Sequence, residues 1–141
     1  MRCDLLAMVL LACALCGCSE PERFEHDLAV REVRRSLQIL STNVSVRTIR
    51  NTGNAFADIA KVTGQGRQTA LVDEWISALM SIECAGIPLV DRYAVIHEVS
   101  DVLNSDVPSV LRCIGIGYDE VWELHFRALA WLDAQLIAMK P

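Results

Sequence analysis

The sequence predicts an all-α domain, a bundle of five to six helices. Three observations predict it. Apolar residues recur at steps of three and four through most of the chain beyond residue 23. Breaks rich in Gly and Pro fall between these stripes. No two segments alternate apolar and polar residues convincingly enough to pair as strands. The 141 residues suffice for one domain with its own core and are too few for two ordinary ones.

The first stripe is Val30, Val33, Leu37, Leu40 and Val44, with Glu32, Arg34, Arg35 and Gln38 outside it. Ser41-Thr42-Asn43 is placed to break or re-cap this helix. In Val44-Ser45-Val46-Arg47-Thr48-Ile49 strand alternation competes, but Ile49, Phe56 and Ala60 carry a helical stripe on to Val62, with Gly53 inside it for a close crossing or a kink. Gly64-Gln65-Gly66 is a turn. A third helix follows, with Leu71, Trp75, Leu79 and Ile82 on one side and Val72 and Ile76 beside them. Ala85-Gly86-Ile87-Pro88 ends it and starts the next. The fourth helix runs from about Pro88 to Asn104 on the stripe Leu89, Tyr93, Ile96, Ser100 and Leu103. Asn104-Ser105-Asp106-Val107-Pro108-Ser109 reads as a turn and a new start, and a short helix from Ser109 ends in Gly115-Ile116-Gly117. The last helix begins at Tyr118, with Asp119 and Glu120 at the positive end of its dipole. It is apolar nearly all round, which predicts a place in the middle of the bundle, with Glu123 and Arg127 spaced i, i+4 on a narrow polar strip.

Ahead of this domain lies Leu5 to Leu15, eleven residues without charge, followed by Cys16-Gly17-Cys18-Ser19-Glu20-Pro21. Eleven residues span ~16 Å as a helix, short of the ~30 Å hydrocarbon core. The length suits the apolar part of an export signal. Leu15-Cys16-Gly17-Cys18 resembles the lipobox of bacterial lipoprotein precursors: a branched apolar residue, a tolerant position, a small residue and the cysteine that is acylated. The resemblance covers this segment alone. It implies cleavage before Cys18, a diacylglycerol thioether on Cys18 and a fatty acyl group, palmitate or similar, on its amine. Leu10-Leu11-Ala12-Cys13 fits the same pattern; the apolar run passes Cys13 and polar sequence starts only at Ser19, which favours Cys18. The rival readings are a plain secretory signal, an uncleaved anchor or soluble chain, and a metal site. The latter lacks a second cysteine pair at zinc spacing. The organisation expected is a signal peptide over 1–17, a short tether over 18–22 and a single helical domain over 23–141.

The formal net charge of −5 gives no basic footprint for nucleic acid. His97 and Asp101, i, i+4 on the fourth helix, and His125 on the apolar side of the last helix are the one candidate catalytic or metal-ligating set; the competing reading is a rim histidine, a hydrogen-bonded core histidine and a solvated Asp. Gly64-Gln65-Gly66-Arg67 lacks the Gly-Lys-Ser/Thr of a phosphate loop. Arg31, Arg34 and Arg35 form a basic cluster, read as a solvated face, and Trp75, Trp122 and Trp131 read as core. Cys84 and Cys113 remain in the domain after processing at Cys18. In an exported chain they are candidates for one disulfide, the alternative being two small buried thiols.

These readings predict a small cell-envelope lipoprotein held to the membrane by its lipid anchor. Its non-enzymatic helical domain would bind or inhibit a protein partner or serve a structural task, with no cofactor. The alternative is a small metal-dependent or acid/base hydrolase using His97, Asp101 and His125.

Overall fold

The computed structural model describes residues 20–62 and 69–140. The expected signal segment, Cys13, Cys18 and the Gly64-Gln65-Gly66 turn lie outside the described residues. The protein is all-α. Among the described residues six helices follow in order: α1 (Glu20–Thr42), α2 (Val46–Val62), α3 (Thr69–Met80), α4 (Leu89–Asp101), α5 (Val107–Cys113) and α6 (Tyr118–Ala138). A 3₁₀ turn, Cys84–Gly86, precedes α4, and a π-helical turn, Val102–Asp106, joins α4 to α5. The described part of the expected tether, from Glu20, is already helix.

Helices α1 and α2 form a hairpin. The break between them has a local cause. Ser45 stands just before α2, and its hydroxyl accepts the Thr48 N–H at 3.1 Å while the Thr48 hydroxyl accepts the Ser45 N–H at 2.9 Å. This reciprocal capping satisfies two donors that the first turn leaves orphaned. It decides the Val44–Ile49 ambiguity in favour of helix. Gly53 is buried where α2 crosses the π turn; a Cβ there would lie 2.9 Å from an Asp106 carboxylate oxygen, so the close crossing uses the missing side chain.

The core is centred on Trp75 of α3, fully buried and stacked on Phe56 of α2 at 4.1 Å and 4° between planes. The Trp75 indole N–H donates to the Thr52 hydroxyl at 2.9 Å, which donates to the Ile49 carbonyl at 2.7 Å, so the polar atoms of this apolar centre are satisfied. Val33 and Leu40 of α1, Ile49 and Ile59 of α2, and Leu71, Val72 and Leu79 of α3 pack around it, as the stripes predict.

The second half of the chain departs from the sequence reading in three places. Helix α4 buries Val95, Ile96 and Val99, the π turn after it buries Val102 and Leu103, and Leu89 and Tyr93 are exposed, so the inward stripe lies on the valines. The turn expected over Asn104–Ser109 is absent: α4 runs through the π turn into α5, and the Val107 N–H bonds back five residues to the Val102 carbonyl. Pro108 supplies the reason. It has no N–H to give, and its ring crowds the carbonyl four residues back in an α-helix; a wider turn relieves both without ending the helix. Finally, α6 is not central. It buries Leu124, Ala128, Trp131 and Gln135, spaced 4, 3 and 4, and packs mainly on the π turn, α4 and the 3₁₀ turn. Its other face carries the exposed Phe126, Leu129 and Ile137. The Gln135 carboxamide accepts the Cys84 N–H at 2.8 Å and the Trp131 indole donates to the Ile82 carbonyl at 3.2 Å, pinning α6 to the end of α3. Gly115, at φ 83°, takes the left-handed position after α5, and the Ile116 N–H closes on the Leu111 carbonyl at 2.9 Å, turning the chain into α6.

Candidate functional site

The arrangement with most chemistry is a groove between the π turn, α5 and α6, of ≈ 330 Å³. Leu103, Pro108 and Val121 wall it, with the indole of Trp122 alongside; Asn104, Arg112 and His125 supply its polar groups. The π turn positions Asn104. Its amide nitrogen donates to the Ser100 carbonyl at 2.8 Å, which turns the amide oxygen to His125 Nδ1 at 3.2 Å. A carbonyl accepts only, and so does the amide oxygen. His125 therefore carries a hydrogen on Nδ1, and in the neutral ring the lone pair is on Nε2. Arg112 stands in the last turn of α5, where a cation also suits the helix dipole.

Trp122 links the groove to the open face of α6. That face carries Trp122 (45% exposed), Phe126 (63%), Leu129 (46%) and Ile137 (59%). At about 100° per residue these fall opposite Leu124, Ala128 and Trp131, so one helix presents two apolar faces and buries one. Trp122 and Phe126 lie 5.8 Å apart, 28° from parallel, and the Trp122 and His125 rings meet edge to face at 5.8 Å. Trp122 is thus surface and not core, in contrast to Trp75 and Trp131. Glu123 and Arg127 form no ion pair despite their spacing; ion pairs among the described residues include Arg50–Glu98, Lys61–Asp58 and His97–Asp101.

The three residues foreseen as a catalytic or metal set are not brought together. His97 Nε2 lies 3.4 Å from Asp101 Oδ2, both exposed on α4, while His125 turns to Asn104 in the groove. No group of three His, Cys, Asp or Glu among the described residues is placed to hold a metal ion. The expected Cys84–Cys113 bridge is not formed. Both are free thiols: Cys84 is buried at the 3₁₀ turn, and Cys113 is exposed at the end of α5. Burial raises the Cys84 pKa and keeps it a protonated thiol.

A second charged cluster ties α2 to α4. Arg50 donates through Nε and Nη2 to the two carboxylate oxygens of Glu98 at 3.2 and 3.1 Å, a fork that satisfies a nearly buried acid. Glu98's hydrogen bonds, then its charge, raise the Arg50 pKa. Asp106, its carboxylate laid over Gly53, has its pKa raised from the ordinary Asp value. Partial desolvation is the main cause; the charges of Glu98 and Asp101 add to it. The arginines Arg31, Arg34 and Arg35 are exposed on α1, a solvated face as read.

Asn104, Arg112 and Trp122 were not foreseen as site residues. The available signal was Pro108 in a helical stretch, which marks a wide turn as readily as a break. No protein-family model, curated protein or solved structure matches the chain.

Proposed function

We propose that the chain is a small lipoprotein of the bacterial cell envelope whose helical domain is a non-enzymatic module that docks a protein partner. The observation that carries this reading is the open apolar face of α6. Phe126 (63% exposed), Leu129 and Ile137 share that face with Asp133, and Trp122, stacked on Phe126, continues it toward the groove; other strongly exposed apolar residues, Leu89, Val90 and Tyr93, sit apart in the first turns of α4. Stripes of this kind mark interaction surfaces, and aromatic anchors dominate the energetics of such interfaces. The signal-like segment ending in Leu15-Cys16-Gly17-Cys18 supports the membrane-anchored location. No helix among the described residues is long and apolar enough to cross a membrane, so the anchor proposed is the lipid on Cys18.

The test has two arms in a bacterial host. A fatty-acid analogue should label the full chain, and the label should be lost in Cys18→Ser and kept in Cys13→Ser. A photo-crosslinking residue at position 126 should give one discrete adduct, and the same residue at exposed position 47 none. Wild-type chain without label removes the lipoprotein assignment; labelled chain without an adduct at 126 removes the docking face.

A further inference from the structure

The groove beside α6 differs from the stripe in kind, because it has convergent polar groups as well as apolar walls. We infer that it is a binding site for a small organic anion, a monocarboxylate with an apolar body of about eight carbons.

The charge argument comes from Arg112. The chain carries 18 acidic residues against 13 Lys and Arg. Arg50 takes Glu98 and His97 takes Asp101, yet no acidic side chain among the described residues lies within ion-pair distance of Arg112. A guanidinium next to apolar walls attracts an anion, and its fork of donors matches the two oxygens of a carboxylate. The apolar argument comes from Pro108, Val121 and Trp122, which offer a hydrocarbon or ring a surface that water solvates poorly, with fully buried Leu103 behind them. The size argument comes from the volume. At ≈ 330 Å³ the groove is at the small end of ligand sites, and at the ~30 Å³ a water occupies in the liquid it holds about ten non-hydrogen atoms. His125 has its Nδ1 hydrogen committed to Asn104. Arg112 is the one arginine, lysine or acidic residue of the groove's lining, so one carboxylate on one arginine is the stoichiometry inferred. The π turn is what assembles it, since the same turn carries Leu103 and Asn104 and hands the helix on to Pro108 and Arg112.

Octanoate is the probe, with octan-1-ol as the uncharged control of equal chain length. The full chain, held in nanodiscs of zwitterionic lipid, is titrated with each while tryptophan emission is recorded, and Trp122→Phe identifies the part of the signal that belongs to the groove. The expected result is a saturable, Trp122-dependent change at an octanoate concentration at least tenfold below that needed with octan-1-ol. Arg112→Gln should weaken octanoate tenfold or more and leave octan-1-ol unchanged, and Arg112→Lys should recover part of the loss. Arg112 is exposed, so the variants keep the fold, which circular dichroism checks. Equal responses to octanoate and octan-1-ol, or an Arg112→Gln chain that titrates as wild type does, would overturn the inference. Either result leaves the docking face of α6 untouched, because that face is read at position 126.

Discussion

At the scale of single residues, Asp106 is the position with a readable pH signature. Its carboxylate is pressed over Gly53 and faces the charges of Glu98 and Asp101, which raises its pKa in the folded chain. In the unfolded chain the pKa returns to the ordinary range. Between those two values the folded state binds more protons, so this residue's contribution to stability improves as the pH falls through the folded pKa and is a penalty above it. Asp106→Asn should therefore raise the thermal midpoint at neutral pH, and the gain should fade as the pH drops below the ordinary carboxylate range. Because Asp106 is partly exposed, solvent screens the effect and the gain is small. A gain that persists unchanged at low pH would contradict this origin. Little of this was legible beforehand. Gly53 could be marked as a close crossing from its place inside a stripe, but the residue facing it depended on a π turn that nothing in the local pattern announces. His97 and Asp101 were legible as a pair, since i, i+4 spacing fixes that geometry; their distance from His125 is a tertiary fact.

At the scale of elements, the start of α2 shows how two patterns can overlie one stretch. Val44 to Ile49 alternates like a strand and also contains Ser45-x-x-Thr48, a helix-start signature. The capping geometry wins because it satisfies donors at once, whereas an isolated alternating segment has no strand to pair with. Ser45→Ala should cost about 0.5–2 kcal/mol in denaturant unfolding. A change within error would mean that packing of the α1–α2 hairpin, and not the cap, fixes this start. Helix α4 illustrates the opposite case. Leu89-Tyr93-Ile96-Ser100-Leu103 and Val95-Val99-Val102 are both helical stripes, and periodicity does not rank them. The bundle accepts the β-branched valines and Ile96 at its contacts and leaves Leu89 and Tyr93 outside.

At the scale of the molecule, the number and order of helices were legible, and so were the cores of α1 to α3, because each has one apolar face and therefore one way to lie. Helix α6 was misplaced for the converse reason: apolar residues all round are compatible with the centre of a bundle and with an edge helix whose second face awaits a partner. The two arrangements make different demands on stability. With α6 at the edge, Phe126→Ser should change the unfolding free energy by no more than about 0.5 kcal/mol. Trp131→Ala, on the inward face, should cost about 3–5 kcal/mol. Similar losses at both positions would place α6 inside the bundle.

The π turn also has a meaning in residue count. Each residue of an α-helix advances the azimuth by about 100°. The five-residue closure from Val102 to Val107 takes up one residue more than an α-turn does, so α4 and α5 are two α-helical segments one residue out of phase within a single rod. The phase, and not the identity of Asn104, Ser105 or Asp106, sets which side of α5 meets the core. Point substitutions across 102–106 leave that phase alone. Loss of any one residue there would make the Val102-to-Val107 closure an ordinary four-residue one, so Val107, Val110, Leu111 and Arg112 would keep their sides, and the cost would fall on Pro108, whose ring a plain α-turn crowds.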